Sequence, residues 1–241
     1  MVIAALDEAE AIGDVLHAIP DEACALATAA LVVDDGSTDG TAEVARSAGA
    51  HVVRLERNCG HGVALRVGYQ LAREHGARFI VTLDGDGQWD PTELATVLGP
   101  IASDEADLVL GSRVLGRSEI DHRLRLVGVR VFAALTRVLT GQRVTDTSTG
   151  YRAMRAEVTA SVRQEQPQYQ TAELLIGAIL QGYRVVERPI VQRRRMAGES
   201  KKGNDLLYGA RYARVILTTW WRERRSARRH GHTPVGASAR P

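Results

Sequence analysis

Two short acidic clusters are the groupings in this chain best suited to chemistry. VVDDGSTDGT sets Asp34, Asp35 and Asp39 around a glycine-permitted turn after an apolar run, and IVTLDGDGQWDP does the same with Asp84, Asp86 and Asp90, with Gln88 between them. Carboxylates crowded on a tight turn repel one another unless a cation sits among them. Hard oxygen donors of this kind suit Mg2+ or Mn2+ holding substrate phosphates, so the carboxylates of Asp84 and Asp86 form a candidate metal site. The plain alternative is a solvated acidic turn in which Asp90 caps a helix. Single positions exclude two related chemistries. An EF-hand loop needs Asp or Asn at its fifth position and Gly at its sixth, where Gln88 and Trp89 stand, and a DxDxT phosphatase needs Thr in place of Gln88.

In the first cluster a carboxylate can accept an N–H from a nucleobase while the loop amides lie near a ribose. Read alone, the same residues make only a turn and a helix cap. Asn58, Cys59, Gly60, His61, Gly62 and Val63 then form a glycine-rich helix entry that admits a phosphate or nucleotide close to the backbone. It has neither the GxGxxG fingerprint nor the GKS or GKT ending of a P-loop, so dinucleotide binding and ATP hydrolysis gain no support.

The elements around these clusters alternate. Val2 to Leu6, Ala30 to Asp34, His51 to Leu55, Phe79 to Asp84 and Leu108 to Gly111 read as strands. Glu10 to Ile19, Thr41 to Ala48, Gly62 to His75 and Pro91 to Ile101 read as helices, the last opened by Asp90 as cap with Pro91 at the first helical position. This rhythm predicts an α/β fold with a mostly parallel sheet, and both acidic clusters then fall at carboxyl ends of strands, where such sheets bind ligands. Beyond Gly111 the spacing predicts helices over Leu124 to Thr140 and Ala172 to Gln181 and a strand over Val185 to Ile190.

With 241 residues, 44% hydrophobic and 25% charged, the chain is long enough for a sizeable core. Its 31 basic and 29 acidic side chains leave a net charge of +2, which gives no reason to expect a nucleic-acid partner. Cys24 and Cys59 match no metal-ligand spacing, and a reducing cytoplasm is the plainer setting. The opening MVIAALDEAEAI reads as too short and too soon acidic for a signal peptide, and no apolar run reaches about 18 residues, so any membrane contact is expected at the surface, peripheral at the inner face.

Taken in order, IAALDEAEAI, VVDDGSTDGT, RNCGHGVAL, VTLDGDGQWDP, LVLGSR, VTDTSTGYRAM, the AELL segment and RRRMAGESKKG resemble the family 2 glycosyltransferases, most closely the dolichyl- or polyprenyl-phosphate mannosyltransferase and glucosyltransferase branch. The likeness runs from the first residues to about Gly203. It implies a GT-A (Rossmann-like) nucleotide-sugar-binding fold, a GDP-mannose or UDP-hexose type donor, a divalent metal, inversion at the anomeric carbon and a lipid-phosphate acceptor. By the same resemblance, Asp35, with Asp34 beside it, holds the base, and Glu8 lines that pocket. Asp84, Asp86 and Gln88 surround metal and diphosphate, and Arg113, Arg195 and Ser200 face the phosphates. The family usually begins IPxxNE, whereas this chain has Ala4, Ala5, Leu6, Asp7 and Glu8, lacking the proline and carrying Asp for Asn.

A phosphate acceptor is already ionised near pH 7 and needs cationic positioning rather than a base. Arg113, Arg123, Arg125, Arg195 and Lys201 are the candidates. A hydroxyl acceptor would need a carboxylate, with Asp146 ahead of Glu173. Competing readings are a same-fold transferase acting on a soluble small molecule or protein, and a non-catalytic nucleotide-sugar-binding protein. The expected organisation is a transferase domain over 1–203, a basic amphipathic helix over 204–225 and a disordered tail over 226–241. On that helix Leu206, Ala210, Ala213, Leu217 and Trp220 form the expected apolar stripe. Arg211, Arg214, Arg222 and Arg225 lie on another face beside Trp221, the pattern of a helix that lies on an anionic membrane.

Overall fold

The computed structural model describes residues 1–120, 123–196 and 205–229. In chain order β1 (Val2–Ala5) leads through α1 (Ala9–His17) to a small hairpin, β2 (Glu22–Ala23) and β3 (Leu26–Ala27), and then to β4 (Leu31–Asp34), α2 (Thr41–Ser47) and β5 (His51–Arg54). Next come α3 (His61–Glu74), β6 (Phe79–Asp84), a 3-10 turn (Pro91–Glu93), α4 (Leu94–Ala102) and β7 (Leu108–Ser118). The chain finishes with α5 (Arg123–Thr140), β8 (Arg152–Arg155), α6 (Ala156–Ser161), α7 (Gln170–Leu180), β9 (Val185–Gln192) and α8 (Asp205–Arg229).

Seven strands form one sheet in the order β5, β4, β1, β6, β8, β7, β9. Every pairing is parallel except those of β8, which runs antiparallel between β6 and β7. The mostly parallel sheet expected from the alternating rhythm is present. All four residues of β1 are buried because both faces are covered. Ile3 and Ala5 pack with Ile12, Leu83 and Val97 on one side, and Val2 and Ala4 with Leu65, Tyr69 and Ile80 on the other. Register brings the acidic strand ends level, with Ala4 opposite both Val33 and Asp84, and Ala5 opposite Asp34.

Three expectations change. The helix expected over Pro91 to Ile101 opens as a 3-10 turn before α4, although Asp90 caps it as read, its carboxylate accepting from Thr92 N at 3.0 Å. β7 runs on to Ser118 because its far half pairs with β9, which itself extends to Gln192, across a bulge. The third is the C-terminal helix. Ala210 and Leu217 of the expected stripe are exposed, and the buried side is Tyr212, Val215, Ile216 and Thr219; Leu206 and the segment from 230 onward fall outside the described side chains. Tyrosine and threonine read as polar, but the Tyr212 hydroxyl donates to Thr147 O at 2.8 Å, and its ring packs on Phe132 with 4.7 Å between centroids. A satisfied hydroxyl lets the ring bury its apolar area.

Arg222, expected on the basic outer face, turns inward. Its guanidinium pairs with Glu173 at 3.1 Å and Glu165 at 2.9 Å and donates to Arg163 O at 2.7 Å. Glu173 is fully buried, and its other oxygen accepts from the amides of Glu165 and Gln166 at 2.9 and 2.8 Å. Arg222→Met strands that carboxylate without its cation and is expected to cost about 3 kcal/mol, read as a lower urea midpoint at unchanged slope. Adding Glu173→Gln to it should recover part of the loss. A double variant no more stable than the single one would count against the pairing.

Candidate active site

The chain builds outward from β1 to β4 and β5, then returns to β6 on β1's other side, so a crevice opens between the carboxyl ends of β1 and β6. Glu8 follows β1 and Asp86 follows β6. One guanidinium spans them, Arg195 reaching Glu8 Oε1 at 3.1 Å and Asp86 Oδ2 at 2.8 Å. The carboxylates are 11% and 7% exposed. The segment carrying Arg195, just past the end of β9, is pinned along the acidic turn, with Arg193 N donating to Gln88 O at 2.8 Å and Met196 N to Asp86 O at 3.2 Å. Gln88 in turn donates its amide to Asp86 Oδ1 at 3.0 Å. Asp84 faces another way. Its Oδ2 accepts from the Trp89 indole at 2.8 Å, His61 lies 3.9 Å from its Oδ1, and Gly150 packs flat against the carboxylate.

Among the described residues no three His, Cys, Asp or Glu side chains gather as a ready metal cage. Two carboxylates that follow different strands nevertheless converge on one point, and that point already accepts a cation, the guanidinium. Mg2+ and Mn2+ sites that serve phosphates commonly use one or two carboxylates and complete their shell with phosphate and water oxygens, so these residues fit such an ion.

On the neighbouring strand Asp34 is wholly buried, its Oδ1 accepting from Ser37 N at 2.9 Å and its Oδ2 lying 3.4 Å from Arg54 Nε without a hydrogen bond. Asp35 grips the glycine-rich loop, accepting from Cys59 N at 2.7 Å and Gly60 N at 2.9 Å. Gly60 has φ +100°, and a Cβ there would lie 2.7 Å from Pro167 O, so the loop needs glycine on both counts. Asp7, the Asp that replaces the family's Asn, sits at φ +47° and accepts from Thr38 N at 2.9 Å. Asp and Asn both tolerate that left-handed conformation, which accounts for the exchange.

Arg113 and Asp146 come together behind the crevice. Nε meets Asp146 Oδ2 at 2.5 Å and Nη2 meets Oδ1 at 3.0 Å, a two-point pairing completed by Ser148 Oγ at 3.0 Å and Gln192 Oε1 at 3.3 Å. Both side chains are buried, so Arg113 directs its donors into the protein. The Trp89 ring faces this guanidinium 5.3 Å from its centroid, which ties the Arg113 cluster to Asp84. Glu187 backs the loop by accepting from the amides of Thr145 and Asp146, and burial pushes its carboxyl above the usual range. Ser200 and Lys201 fall outside the described residues, as do the side chains of Arg123 and Arg125.

Two residues escaped the sequence reading. Trp89 served there only to exclude an EF-hand, yet it joins the two halves of the site. Arg152 is fully buried and donates to the carbonyls of Thr147, Thr149 and Thr171 at 2.7, 2.9 and 2.6 Å, fixing the loop that carries Asp146 and Gly150. Burial lowers its pKa from the ordinary arginine value. The available signal for Arg152 was its place two residues after Gly150 in a polar TSTG loop, where a lone arginine has many carbonyls to satisfy.

The glycosyl transferase family 2 model matches residues 1–163. A dolichyl-phosphate hexose transferase of Haloferax volcanii is 36% identical over 201 residues, covering 83% of this chain and 85% of that protein. A polyprenol monophosphomannose synthase of Mycolicibacterium smegmatis is 32% identical over 202 residues, covering 79% and 74%. Among solved structures, glucosyl-3-phosphoglycerate synthase from Mycobacterium tuberculosis, in complex with Mn2+, UDP-glucose and phosphoglyceric acid, superposes with a TM-score of 0.69 over 92% of this chain and 78% of that one, at 22% identity.

Gly150→Ala tests the packing of the two halves. The added Cβ would lie 2.3 Å from Asp84 Oδ2, so the carboxylate must swing off the Trp89 indole. The near-ultraviolet circular dichroism of Trp89 should change, far-ultraviolet signal should persist, and stability should fall by about 1–3 kcal/mol. An unaltered near-ultraviolet spectrum would contradict the contact.

Proposed function

The chain belongs to glycosyl transferase family 2 and is a glycosyltransferase of the GT-A fold, and from that premise we propose that it moves a sugar, with inversion, from a nucleoside diphosphate carrier to a polyprenyl- or dolichyl-type phosphate. The observation that carries this reading is the cation-gripping pair Glu8 and Asp86 at the mouth of the crevice. In such transfers positive charge develops at the anomeric carbon while negative charge grows on the departing diphosphate. Asp86, facing Glu8 across the crevice, would hold Mg2+ or Mn2+, which when bound supplies a Lewis acid for that negative charge. Asp35 fixes the glycine-rich loop as the nucleotide wall, and Glu8 borders the same pocket from β1.

A phosphate acceptor is favoured over a hydroxyl by the state of the two candidate bases. Asp146 and Glu173 are both wholly buried and each is paired with an arginine, so neither is free to take a proton from an incoming hydroxyl. A phosphate oxygen needs no base, only cations to orient it. Arg195 lies at the crevice for that task, with Ser200 and Lys201 close after it in sequence, while the Arg113–Asp146 pair keeps the wall behind them in place. The names of the Haloferax and Mycolicibacterium relatives, which carry dolichyl phosphate and polyprenol, support the same acceptor class.

The outer sides of α5 and α8 suit a lipid surface. No helix among the described residues is long and apolar enough to cross a membrane. The two helices adjoin, Trp220 donating to Leu139 O at 2.7 Å, and they expose Val127, Val131, Val138, Leu217 and Trp221. Interleaved with these are the exposed Arg130, Arg137, Arg211, Arg214, Arg224 and Arg225, whereas Glu223 is turned in against Arg222. Apolar side chains among arginines, with Trp at the edge, match an anionic leaflet.

Asp86→Ala should lower transfer about 10²–10³-fold, the scale of losing one group that stabilises transition-state charge, with the fold retained. Chelator should silence the wild-type protein and Mn2+ restore it; full transfer to polyprenyl phosphate in excess chelator would refute the metal role. Product analysis with polyprenyl phosphate beside a soluble sugar phosphate separates the lipid acceptor from a soluble one. The double variant R130Q/R137Q should bind anionic vesicles about thirtyfold more weakly, at roughly 1 kcal/mol per lost arginine. Cosedimentation unchanged by this variant and by salt would remove the membrane assignment.

A further inference from the structure

We propose that Tyr212 is a positioning residue for transfer, its hydroxyl setting the loop of residues 145–150 behind the acceptor phosphate, so that the helix proposed to meet lipid also shapes the site. This rests on the acceptor reading above and adds to it a residue that touches no substrate. The ring of Tyr212 is buried against Phe132 of α5 and against Tyr169, which precedes α7, with 4.7 and 5.8 Å between centroids. Its hydroxyl donates to Thr147 O at 2.8 Å. The same oxygen accepts from Arg152 Nη2 at 2.7 Å. One donor comes from α8 and the other from β8, and together they use both lone pairs of that carbonyl.

The peptide that carries this carbonyl also carries the amide of Ser148, and because a peptide unit is planar, fixing the one aims the other. Ser148 N donates to Asp146 Oδ1 at 3.2 Å, the oxygen that also accepts from Arg113 Nη2 at 3.0 Å. The Tyr212 hydroxyl thereby reaches the Arg113 guanidinium through one peptide plane and one carboxylate. Further along the loop Ser148 Oγ accepts from Arg113 at 3.0 Å, and Gly150 packs so closely on Asp84 that a Cβ there would lie 2.3 Å from Oδ2. Without the hydroxyl, Arg152 alone holds the Thr147 carbonyl, and the peptide gains freedom to tilt. That tilt is passed to Arg113 on one side and to Asp84 on the other.

Tyr212→Phe keeps the ring on Phe132 and leaves Thr147 O bonded to Arg152, so the fold should stand and the urea midpoint should change little. With a short-chain polyprenyl phosphate in detergent solution, where leaflet binding does not enter, the acceptor KM should rise about tenfold while the donor KM keeps its wild-type value. A second reading needs no activity. The indole N–H resonance of Trp89, assigned by its loss in Trp89→Phe, should shift, because that N–H binds the carboxylate against which Gly150 packs. Val215→Ala is the control for packing alone, since Val215 is buried in the same cluster with Ala172 and Ile176 and has no polar atom to hold the loop. It should lower the urea midpoint further and leave the acceptor KM and the Trp89 resonance as in the wild-type protein. An unmoved acceptor KM or Trp89 resonance in Tyr212→Phe, or equal changes in Val215→Ala, overturns the inference. A wild-type protein that transfers to no polyprenyl phosphate overturns the acceptor reading, and the Trp89 resonance then decides by itself whether Tyr212 sets the loop.

Discussion

Everything in this site is arranged around the need for positive charge between Glu8 and Asp86. The two residues follow strands that are neighbours in the sheet, Glu8 after β1 and Asp86 after β6, and the chain leaves β1 towards β4 but β6 towards β7, so the gap between them is open to ligand and lined by acid. Because Ala4 is in register with Asp84, the acidic turn after β6 starts level with the end of β1 and cannot drift from it without breaking the ladder. Burial of the two carboxylates raises the electrostatic stake, since charges shielded from water interact more strongly than the same pair in solvent. Positive charge is thus favoured there, and the guanidinium of Arg195 supplies it from the protein itself.

The supporting layer follows from that requirement. The acidic turn is braced from one side by the main chain of 193–196 and from the other by Trp89, whose indole binds Asp84 and whose ring covers the Arg113 guanidinium. Arg113 is fixed in two-point pairing with Asp146, and Arg152 anchors the loop bearing Asp146 through the carbonyls of Thr147 and Thr149 and ties it to α7 through that of Thr171. The result is alternating charge running inward from the crevice, with each buried ion given hydrogen-bonding partners. A buried ion without such partners would cost several kcal/mol.

The fold was legible because its strands are buried on both faces. Val2 to Leu6 is apolar throughout and Phe79 to Leu83 is apolar but for Thr82, and the acidic residues that follow mark where they stop. β8 was not legible, since Arg152 and Arg155 bound it and one of them is wholly buried, a situation that composition does not reveal. The residues at strand ends were found by type and spacing, but their partners were not. Nothing local links Arg195 to Glu8, 187 positions away, or Arg113 to Asp146. The buried side of α8 was misjudged for a related reason. Aliphatic spacing pointed to Ala210 and Leu217, whereas the helix buries Tyr212 and Thr219, and the Tyr212 hydroxyl is satisfied by a tertiary contact, the carbonyl of Thr147.

That rotation of α8 also connects the surface proposed to meet lipid with the nucleotide wall. With Tyr212 and Arg222 turned inward, Leu217, Trp221 and the outer arginines are left facing solvent. Arg222 meanwhile meets Glu173, Glu165 and the carbonyl of Arg163. The same Glu173 holds the amides of Glu165 and Gln166, the next residue, Pro167, accepts from Gly62 N at 2.7 Å, and Gln166 O accepts from Arg66 at 2.8 Å. Gly62 closes the loop whose Cys59 and Gly60 amides are gripped by Asp35. A continuous run of hydrogen bonds therefore leads from the inner side of α8 to the glycine-rich loop. The helix whose outer side carries the arginines fixes, by its inner side, the wall against which a nucleotide would rest.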